Sequence, residues 1–451
     1  MAITADAVWE IRADATAGNV NGGFFKTGAT GTDFSQQAAA QYNLTGVTTA
    51  GADAILLDAN AAAVMVGNAA HIISGTNFTA GWYEIISVVA GVSITLDRAC
   101  TSAAGADGVV NIGGAISLAA ANDDAVFENA VAGQKFWVKQ GSYTIGGIIT
   151  MAAAGTATVP ILMEGYATTR GDKPTGATRP LITNNTGTTI TVGAYWKINN
   201  VSFYGLTDGF VLVTSGISNV YTDCKFNFAT ATGSRAAVYG TADVALIRCE
   251  LICTSGRGVN TAGTFTAIGC YFHDSAIGLI SSGSTHYVVN CLFDTFSTGA
   301  VWLSSASNAT DLFYGNTFYG AETPAGYGIL LAASSTDVRL LNNIIYGFVT
   351  GVEHGTVGQN MGVDMFNAYY NNTTNATNWT LGVGSITTAI TLTSGAAGDF
   401  TPTSANVKST GLVGIFPGAT STGYIDIGAV QTQYGLGAAS GGGAGFPTFT
   451  I

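Results

Sequence analysis

The sequence predicts an all-β chain built as a parallel β-helix, a solenoid of short stacked strands, with an N-terminal β module and a flexible C-terminal arm. Three observations predict it. Long amphipathic helical patterns are absent and only seven prolines occur, while short β-rich runs recur between Gly, Asn and Ser. Seven six-residue segments align without gaps at intervals of 21 to 27 residues. Only 9% of residues are charged, so the surface must be covered by Ser, Thr, Asn and 61 Gly; 22 Phe and 18 Tyr nevertheless supply the apolar area that a folded core needs.

The aligned segments are "INNVSF" from 198, "YTDCKF" from 221, "LIRCEL" from 246, "AIGCYF" from 267, "VVNCLF" from 288, "FYGNTF" from 313 and "LLNNII" from 340. Each is followed by an apolar-x-apolar strand, such as "AIGLIS" or "TGAVWL". The third position reads Asn200, Asp223, Arg248, Gly269, Asn290, Gly315 and Asn342. Six of these seven tolerate the left-handed region that a sharp corner between strands requires. Positions one, four and six are mostly apolar or Cys and are expected to point inward. Each repeat then forms one coil, stacked about 4.8 Å above the last.

Position four carries the cysteines. Cys224, Cys249, Cys270 and Cys291 fall on one inward column in four successive coils, and Asn316 and Asn343 continue it. Their spacings are coil periods and not ligand spacings, and a column spreads thiols along an axis where a zinc site needs them to converge. They read as buried small side chains stacked like on like, with an oxidisable pair and a metal site as the alternatives. The Asn pair can satisfy its amides along the column. Lys225 with Glu250, and Asp223 with Arg248, place opposite charges on adjacent coils, each worth about 0 to 1 kcal/mol if exposed.

Ahead of the repeats, "AANDDAVFENAVAGQKFWVKQGSYTI" (120 to 145) reads as a short helix, Asp123 to Ala132, leading into a strand and a Gly turn. The run 66 to 98 reads as three alternating strands with Gly turns, a small module inserted ahead of the first coils. The expected organisation is residues 1–118 as cap strand plus inserted module, 119–431 as solenoid, and 432–451 as a Gly-rich arm. The arm ends in the apolar barb "FPTFTI", whose Phe446, Pro447, Phe449 and Ile451 are expected to dock on a neighbour.

Net charge is -12 and no Lys/Arg cluster occurs, which excludes a counterion-releasing track. No nucleic acid and no anionic membrane surface is expected as partner. The N-terminus "MAITADAVWEIRADA" shows no signal-peptide pattern, and no stretch of about 18 apolar residues occurs. Synthesis in a cytoplasm with reduced thiols is expected.

A glycosidase needs two carboxyl groups about 5 to 9 Å apart. Asp274 and Asp294, with His273 beside them, are the candidate catalytic group, although they sit one position out of register; Glu353 and His354 form a second cluster. Solvated or turn-forming Asp is the competing reading. The four His residues share no ligand spacing and no Gly-x-Ser-x-Gly elbow fits an all-β chain, so no metal, no cofactor and no nucleophilic catalysis are expected. Tyr204 and Tyr319 follow the inward Phe203 and Phe318 and are expected to face outward, as glycan or protein contacts; Trp196 and Trp302 complete the aromatic set.

The runs "AVAGQKFWVKQGSYTI", "VPILMEGYATTRGD" (159 to 172), "GDFTPTSANVKSTG" and "YIDIGAVQ" (424 to 431) resemble the opening and closing signatures of right-handed parallel β-helix repeat proteins. The resemblance covers roughly residues 120 to 431, and "VWEIRADATAGNVNGGFF" resembles the entry strand of the same family. With the inserted module, the whole is similar to structural proteins of tailed bacteriophages. The resemblance implies a right-handed solenoid. It also implies a structural component of a virion, such as a capsid decoration, fibre or spike protein, made in the host cytoplasm. Its expected partners are other virion proteins, copies of itself, for which a homotrimer is one state, or a host surface glycan. A tailspike that binds or degrades polysaccharide is the first alternative, and a bacterial surface adhesin the second. The fold carries lyases, hydrolases and inert fibres alike. The lyases use clustered Asp for Ca²⁺ with an Arg or Lys base, and this sequence shows no such Asp cluster.

Overall fold

The structure is a computed structural model. It describes residues 7–429 except 15–22, 26–31, 37–40, 114, 117, 119–124, 129, 146–148, 152, 185–189, 206–211, 215–217, 230–234, 284, 305–309, 322–324, 332–336, 356–361, 396–397, 409, 412, 415–422 and 425–426. The C-terminal barb at Phe446, Pro447, Phe449 and Ile451 lies outside the described residues.

The fold is all-β, a right-handed parallel β-helix with a closed β-barrel module near the N-terminus. The chain divides into two units, Met1–Phe203 and Tyr204–Ile451. In the first, the strand Ala7–Ile11 is buried along its whole length, runs antiparallel to Gly23–Phe25 and pairs in parallel with Lys135–Lys139. Ile161–Tyr166 pairs next, then Trp196–Asn199, each one coil further on. The helix is described over Ala125–Glu128, with Phe127 packed on Phe136, and it has ended by Ala130, short of the expected Ala132; the expected start at Asp123 lies outside the described residues.

Between the first strand and the second coil stands the barrel. Six antiparallel strands close it: Gln41–Thr49, Ile55–Leu57, Ser93–Leu96, Gly81–Val89, Ala69–Ser74 and Gly105–Gly113. Three of these are the strands expected within 66 to 98; the other three come from its flanks. Their alternation sends Leu44, Leu56, Ile72, Ile85, Ile94 and Val110 into one core, while Ile86 and Val89 remain exposed. Glu10 is wholly buried at the entry strand. Its carboxylate accepts from Arg170 and from the Tyr166 hydroxyl, and Arg170 also reaches Asp33 at 2.6 Å. Burial raises the Glu10 carboxyl even though Arg170 opposes the shift.

The second unit stacks its coils in register. Strands Asn219–Thr222, Val244–Ile247, Phe265–Ile268, His286–Val289, Thr310–Tyr314, Asp337–Leu341 and Val363–Met365 form one parallel sheet. Each turns a corner into a second parallel sheet, in which Lys225, Glu250, Tyr271, Leu292, Thr317, Ile344 and Ala368 lie opposite one another.

Every third hexamer position makes its corner with positive φ, from 52° at Arg248 to 65° at Gly315. Arg248 lacks the intrinsic tolerance for this region, at a cost of about 1 to 2 kcal/mol. Its guanidinium grips Asp223 with two bonds of 2.7 and 2.8 Å, which offsets that cost at the corner one coil away. Positions four and six are buried throughout, and Phe272 stacks on Phe293 and Phe293 on Phe318.

Residues 364 to 369 form an eighth repeat, with Phe366 at the corner (φ 57°) and Asn367 in the inward column. Its first residue, Asp364, ties this repeat to the segment that follows. Its carboxylate accepts from Trp379 Nε1, Gly382 N, Ser385 Oγ and the Tyr369 hydroxyl. The chain then folds back, and Ile390, Phe400, Val407, Ile427 and Ala429 cover the outward side of the later coils.

Candidate functional site

The interior column comes first, because the cysteines are the most distinctive residues in the sequence. Cys224, Cys249, Cys270 and Cys291 are wholly buried at successive coils, and all six cysteines are thiols. Cys249 Sγ donates to Tyr221 O at 3.4 Å and Cys270 Sγ to Leu246 O at 3.3 Å, in each case the first hexamer position of the preceding coil. Asn316 Nδ2 makes the same bond to Val288 O at 2.9 Å, Asn343 Nδ2 to Phe313 O at 2.9 Å and Asn367 Nδ2 to Leu340 O at 2.7 Å. Cys249, Cys270 and the three Asn therefore perform one task in this column, which is to tie a coil to the one before it, while Cys224 and Cys291 donate to Thr222 O and Val289 O of their own coils. Desolvation pushes the thiols of Cys249 and Cys270 well above the ordinary range, so they stay protonated and are poor metal ligands. Among the described residues no group of three or more His, Cys, Asp or Glu is placed to hold a metal ion.

The outward face of the second sheet carries the titratable groups. Strand alternation puts Lys225, Glu250 and Tyr271 in one outward column and His273 and Asp294 in the next, opposite one another. Lys225 Nζ reaches Glu250 Oε1 at 2.8 Å, and His273 Nε2 lies 3.2 Å from the same oxygen. His273 Nδ1 lies 2.8 Å from Asp274 Oδ2. The Tyr271 ring stacks on His273 with centroids 4.1 Å apart, and its hydroxyl donates to Asp294 Oδ2 at 3.2 Å.

Asp274 is out of register because it occupies a second left-handed corner (φ 48°), as do Ser255 and Thr295 on the coils to either side. The two aspartates thus belong to one cluster through different partners, Asp274 through His273 and Asp294 through Tyr271. Lys225, Glu250 and Tyr271 complete it. Of these six, the sequence names His273, Asp274 and Asp294 as candidate chemistry and Lys225 with Glu250 as a charge pair on adjacent coils.

Environments within the cluster differ. Burial alone would raise the Glu250 carboxyl, but the bonds from His273 and Lys225 outweigh it and hold it down at about 2. Burial would lower the His273 imidazole, and Glu250 and Asp274 together outweigh that and raise it. Asp294 is raised by burial, against the opposing bonds from Thr295 and Tyr271. One carboxylate is therefore firmly ionised and another is biased toward its acid form, with a protonatable imidazole between them.

The aromatic expectation separates. Phe203, Phe318 and Trp196 are core, while Tyr204 and Trp302 are half-buried. Tyr319 does point outward from its strand, yet it is only 4% exposed, because Phe400 and Tyr346 pack against its ring at 5.4 and 5.2 Å. It is a contact for the chain's own C-terminal segment and not an open surface. In the second cluster, His354 is buried and Glu353 half-buried on opposite faces of one strand.

One constellation escaped the sequence reading. His286 Nδ1 lies 2.6 Å from Asp311 Oδ1, and His286 Nε2 lies 2.5 Å from Ser281 Oγ. This is the connectivity of a Ser-His-Asp triad. All three side chains point into the solenoid, and Ser281 has no exposed surface. The Ser281 hydroxyl also donates to Thr261 O at 3.1 Å and accepts from Gly283 N at 3.0 Å. A nucleophile so enclosed meets no substrate; the group fastens the corner where one coil ends and the next begins. The signal was available, since His286 and Asp311 each stand two residues ahead of a hexamer.

No family model matches the chain, and no curated protein matches it. Solved structures of similar fold exist. Pectate lyase Pel9A shares 14% identity over 71% of this chain and 91% of its own, with a TM-score of 0.47. The tailspike protein gp49 from Pseudomonas phage LKA1 shares 12% over 77% of this chain and 64% of its own, with a TM-score of 0.28. The catalytic unit of a thermostable GH87 alpha-1,3-glucanase from Streptomyces thermodiastaticus strain HF3-3 shares 12% over 77% of this chain and 90% of its own, with a TM-score of 0.29.

Proposed function

We propose that the chain is a surface solenoid of a bacteriophage particle that presents a glycan-binding face. The observation that carries the glycan reading is the outward cluster of Lys225, Glu250, Tyr271, His273, Asp274 and Asp294. Three carboxyl groups, an imidazole and a phenol converge over neighbouring coils of a rigid sheet, which supplies hydrogen-bond partners for sugar hydroxyls. The particle reading is supported by the combination of the inserted N-terminal module with the solenoid, which is similar to structural proteins of tailed bacteriophages.

The charge of the cluster narrows the ligand. Three carboxyl groups face one lysine and one imidazole, on a chain of net charge -12, so a polyuronate would be repelled. A neutral or amino-sugar polymer fits. Binding is favoured over cleavage because each carboxyl group already has a protein partner: Glu250 has Lys225 and His273, Asp274 has His273, and Asp294 has Tyr271. Cleavage, with Asp294 as acid, is the second reading, motivated by its raised carboxyl.

The test is retention on immobilised neutral, amino-sugar and uronate polysaccharides, with reducing ends measured in parallel. Retention on the first two, lost in Glu250→Gln and His273→Ala, is the expected result. Preference for the uronate, or retention unchanged in both variants, defeats the glycan reading. New reducing ends would move the conclusion to cleavage. Antibody labelling of purified virions tests the particle assignment separately.

A further inference from the structure

Past the left-handed corners at Ser255, Asp274 and Thr295, the chain continues in parallel register over five coils, from residues 257–261 to residues 350–354. Val259, Leu279, Val301, Ile329 and Val352 are wholly buried and point into the core. The next residue along each strand, Asn260, Ile280, Trp302, Leu330 and Glu353, therefore points out. The row of Gly258 also faces inward, since a Cβ there would meet the core ring of Phe272 at 3.5 Å, and one on Gly328 would meet the core residue Ile345 at 3.0 Å. One residue earlier, Arg257, Ile277, Gly299, Tyr327 and Thr350 form a second outward row. Tyr327 lies flat within it, because a Cβ on Gly299 would meet its ring at 2.3 Å.

Two charges on this face have no partner among the described residues. Arg12, Arg98, Arg170, Arg248 and Arg339 each hold an acidic side chain. Arg257, half-buried, holds none. Burial pulls its guanidinium below the ordinary value, and Tyr327 alone opposes the shift. Glu353, half-buried four coils away in the other row, is likewise without an ion pair or a side-chain hydrogen bond. At about 4.8 Å per coil the two stand about 19 Å apart, too far to meet within one chain.

We propose that this face docks on the same face of a second copy of the chain, through a two-fold axis normal to the strands that passes between Gly299 and Trp302 on the middle coil. The rotation reverses both the coil order and the order of the two rows, so each residue meets the one diagonally opposite. Arg257 meets Glu353 of the second copy, and Glu353 meets Arg257 of the second copy. By the same operation Ile277 faces Leu330, Tyr327 faces Ile280 and Thr350 faces Asn260, while Trp302 lands on Gly299 and the Tyr327 ring that covers it. Apolar side chains face apolar, polar face polar, and each unpaired charge gains its opposite. A parallel association keeps Arg257 and Glu353 four coils apart and leaves both unpaired. Arg, Tyr and Trp are also the residue types that anchor protein contacts. The footprint, about 19 Å between its outer coils, is at the small end for specific association, so micromolar concentrations are needed to populate the dimer. The pairing does not rest on the glycan reading.

The experiment is sedimentation equilibrium of the full chain over roughly 1 to 100 μM. A monomer to dimer equilibrium is expected. Arg257→Glu alone and Glu353→Arg alone each oppose like charges at two points and should weaken the dimer about tenfold or more. An equimolar mixture of the two variants sets opposite charges at both points, and its heterodimer should regain the affinity of the natural chain. Such rescue also excludes misfolding as the cause of either loss. Trp302→Ala, with both charges kept, should weaken the dimer as well. A trimer, a monomer at every concentration, a dimer indifferent to the single changes or to Trp302→Ala, or a mixture that stays monomeric overturns the proposal.

Discussion

Asn316 and Asn343 stack inside the solenoid, one coil apart, with Asn316 Nδ2 donating to Asn343 Oδ1 at 2.9 Å. That same oxygen also accepts from the backbone N–H of Asn316 at 2.9 Å. Asn343 repeats the arrangement with Asn367, accepting none of its stability from solvent, since all three residues are wholly buried. The Asn343 amide thus serves Asn316 N, Asn316 Nδ2 and Phe313 O of the preceding coil.

Asn343→Leu is therefore expected to destabilise far more than a change of similar volume elsewhere in the core. It strands Asn316 N, Asn316 Nδ2 and Phe313 O at least in part, at about 1 to 3 kcal/mol per orphaned group. A loss of about 3 to 5 kcal/mol in denaturant unfolding is the expected outcome. A loss below about 1 kcal/mol would show that the ladder contributes little.

Replacing Cys249 with Ser keeps a donor to Tyr221 O but puts a more polar, smaller group in an apolar slot between Cys224 and Cys270. The expected cost is about 1 to 3 kcal/mol, with no change in metal content. The native protein should show no reaction with a thiol reagent such as DTNB until it unfolds, and then titrate six thiols. Zinc co-purifying in proportion to these thiols would contradict the structural role of the column.

How far the sequence reveals this arrangement depends on whether a contact repeats with the coil period. The corners and inward columns do, so Asn200 through Asn342 and Cys224 through Asn343 are legible from alignment alone. The eighth repeat is hidden by Phe366, a residue that does not advertise a left-handed corner. The barrel is half legible, because Ile55–Leu57 is three residues long and its closure depends on Gln41–Thr49 pairing with Gly105–Gly113, more than fifty residues away. Nothing local to Tyr319 signals Phe400, which covers it from 81 residues further along the chain. In the candidate site, His273, Asp274 and Asp294 were legible as chemistry. The role of Glu250 as the shared partner of Lys225 and His273 emerges only once the two outward columns stand side by side.

The buried Ser281, His286 and Asp311 should behave as a fastener. Fluorophosphonate reagents are expected to leave Ser281 unmodified in the folded protein, because it has no exposed surface. Asp311→Ala leaves His286 Nδ1 buried without its acceptor and should cost about 2 to 4 kcal/mol, measured by chemical denaturation. Stoichiometric labelling of Ser281 would make the group a working nucleophile instead.

Phe400→Ala should act locally. Phe400 is 2% exposed and packs on Tyr319, so its removal opens the cover formed by Ile390, Phe400, Val407, Ile427 and Ala429 and weakens its hold on the outward face. Limited proteolysis should cut within this segment several-fold faster, while the unfolding of the coils beneath shifts by much less. Equal destabilisation of both would mean that cover and solenoid unfold as one unit.

The outward cluster makes stability depend on pH in two opposite directions. The Glu250 carboxyl is depressed from 4.5 to about 2, so its contribution is present above about pH 4.5 and is lost as pH falls from there toward 2. The His273 imidazole is raised above 6.5, so its contribution is complete below 6.5 and is lost as pH climbs through the raised value. Both contributions coexist between about pH 4.5 and 6.5. The stability difference between the natural chain and His273→Ala should therefore peak in that window and shrink on either side of it. Asp294, raised by burial, costs stability as pH climbs from its ordinary 3.8 through the raised value and by a constant amount above it; because the His273 charge opposes that rise, the cost is larger in His273→Ala. Unfolding curves collected from pH 3 to 9 for the two proteins measure it directly; a difference that stays flat across the range would mean that the imidazole carries no charge in its bonds to Glu250 and Asp274.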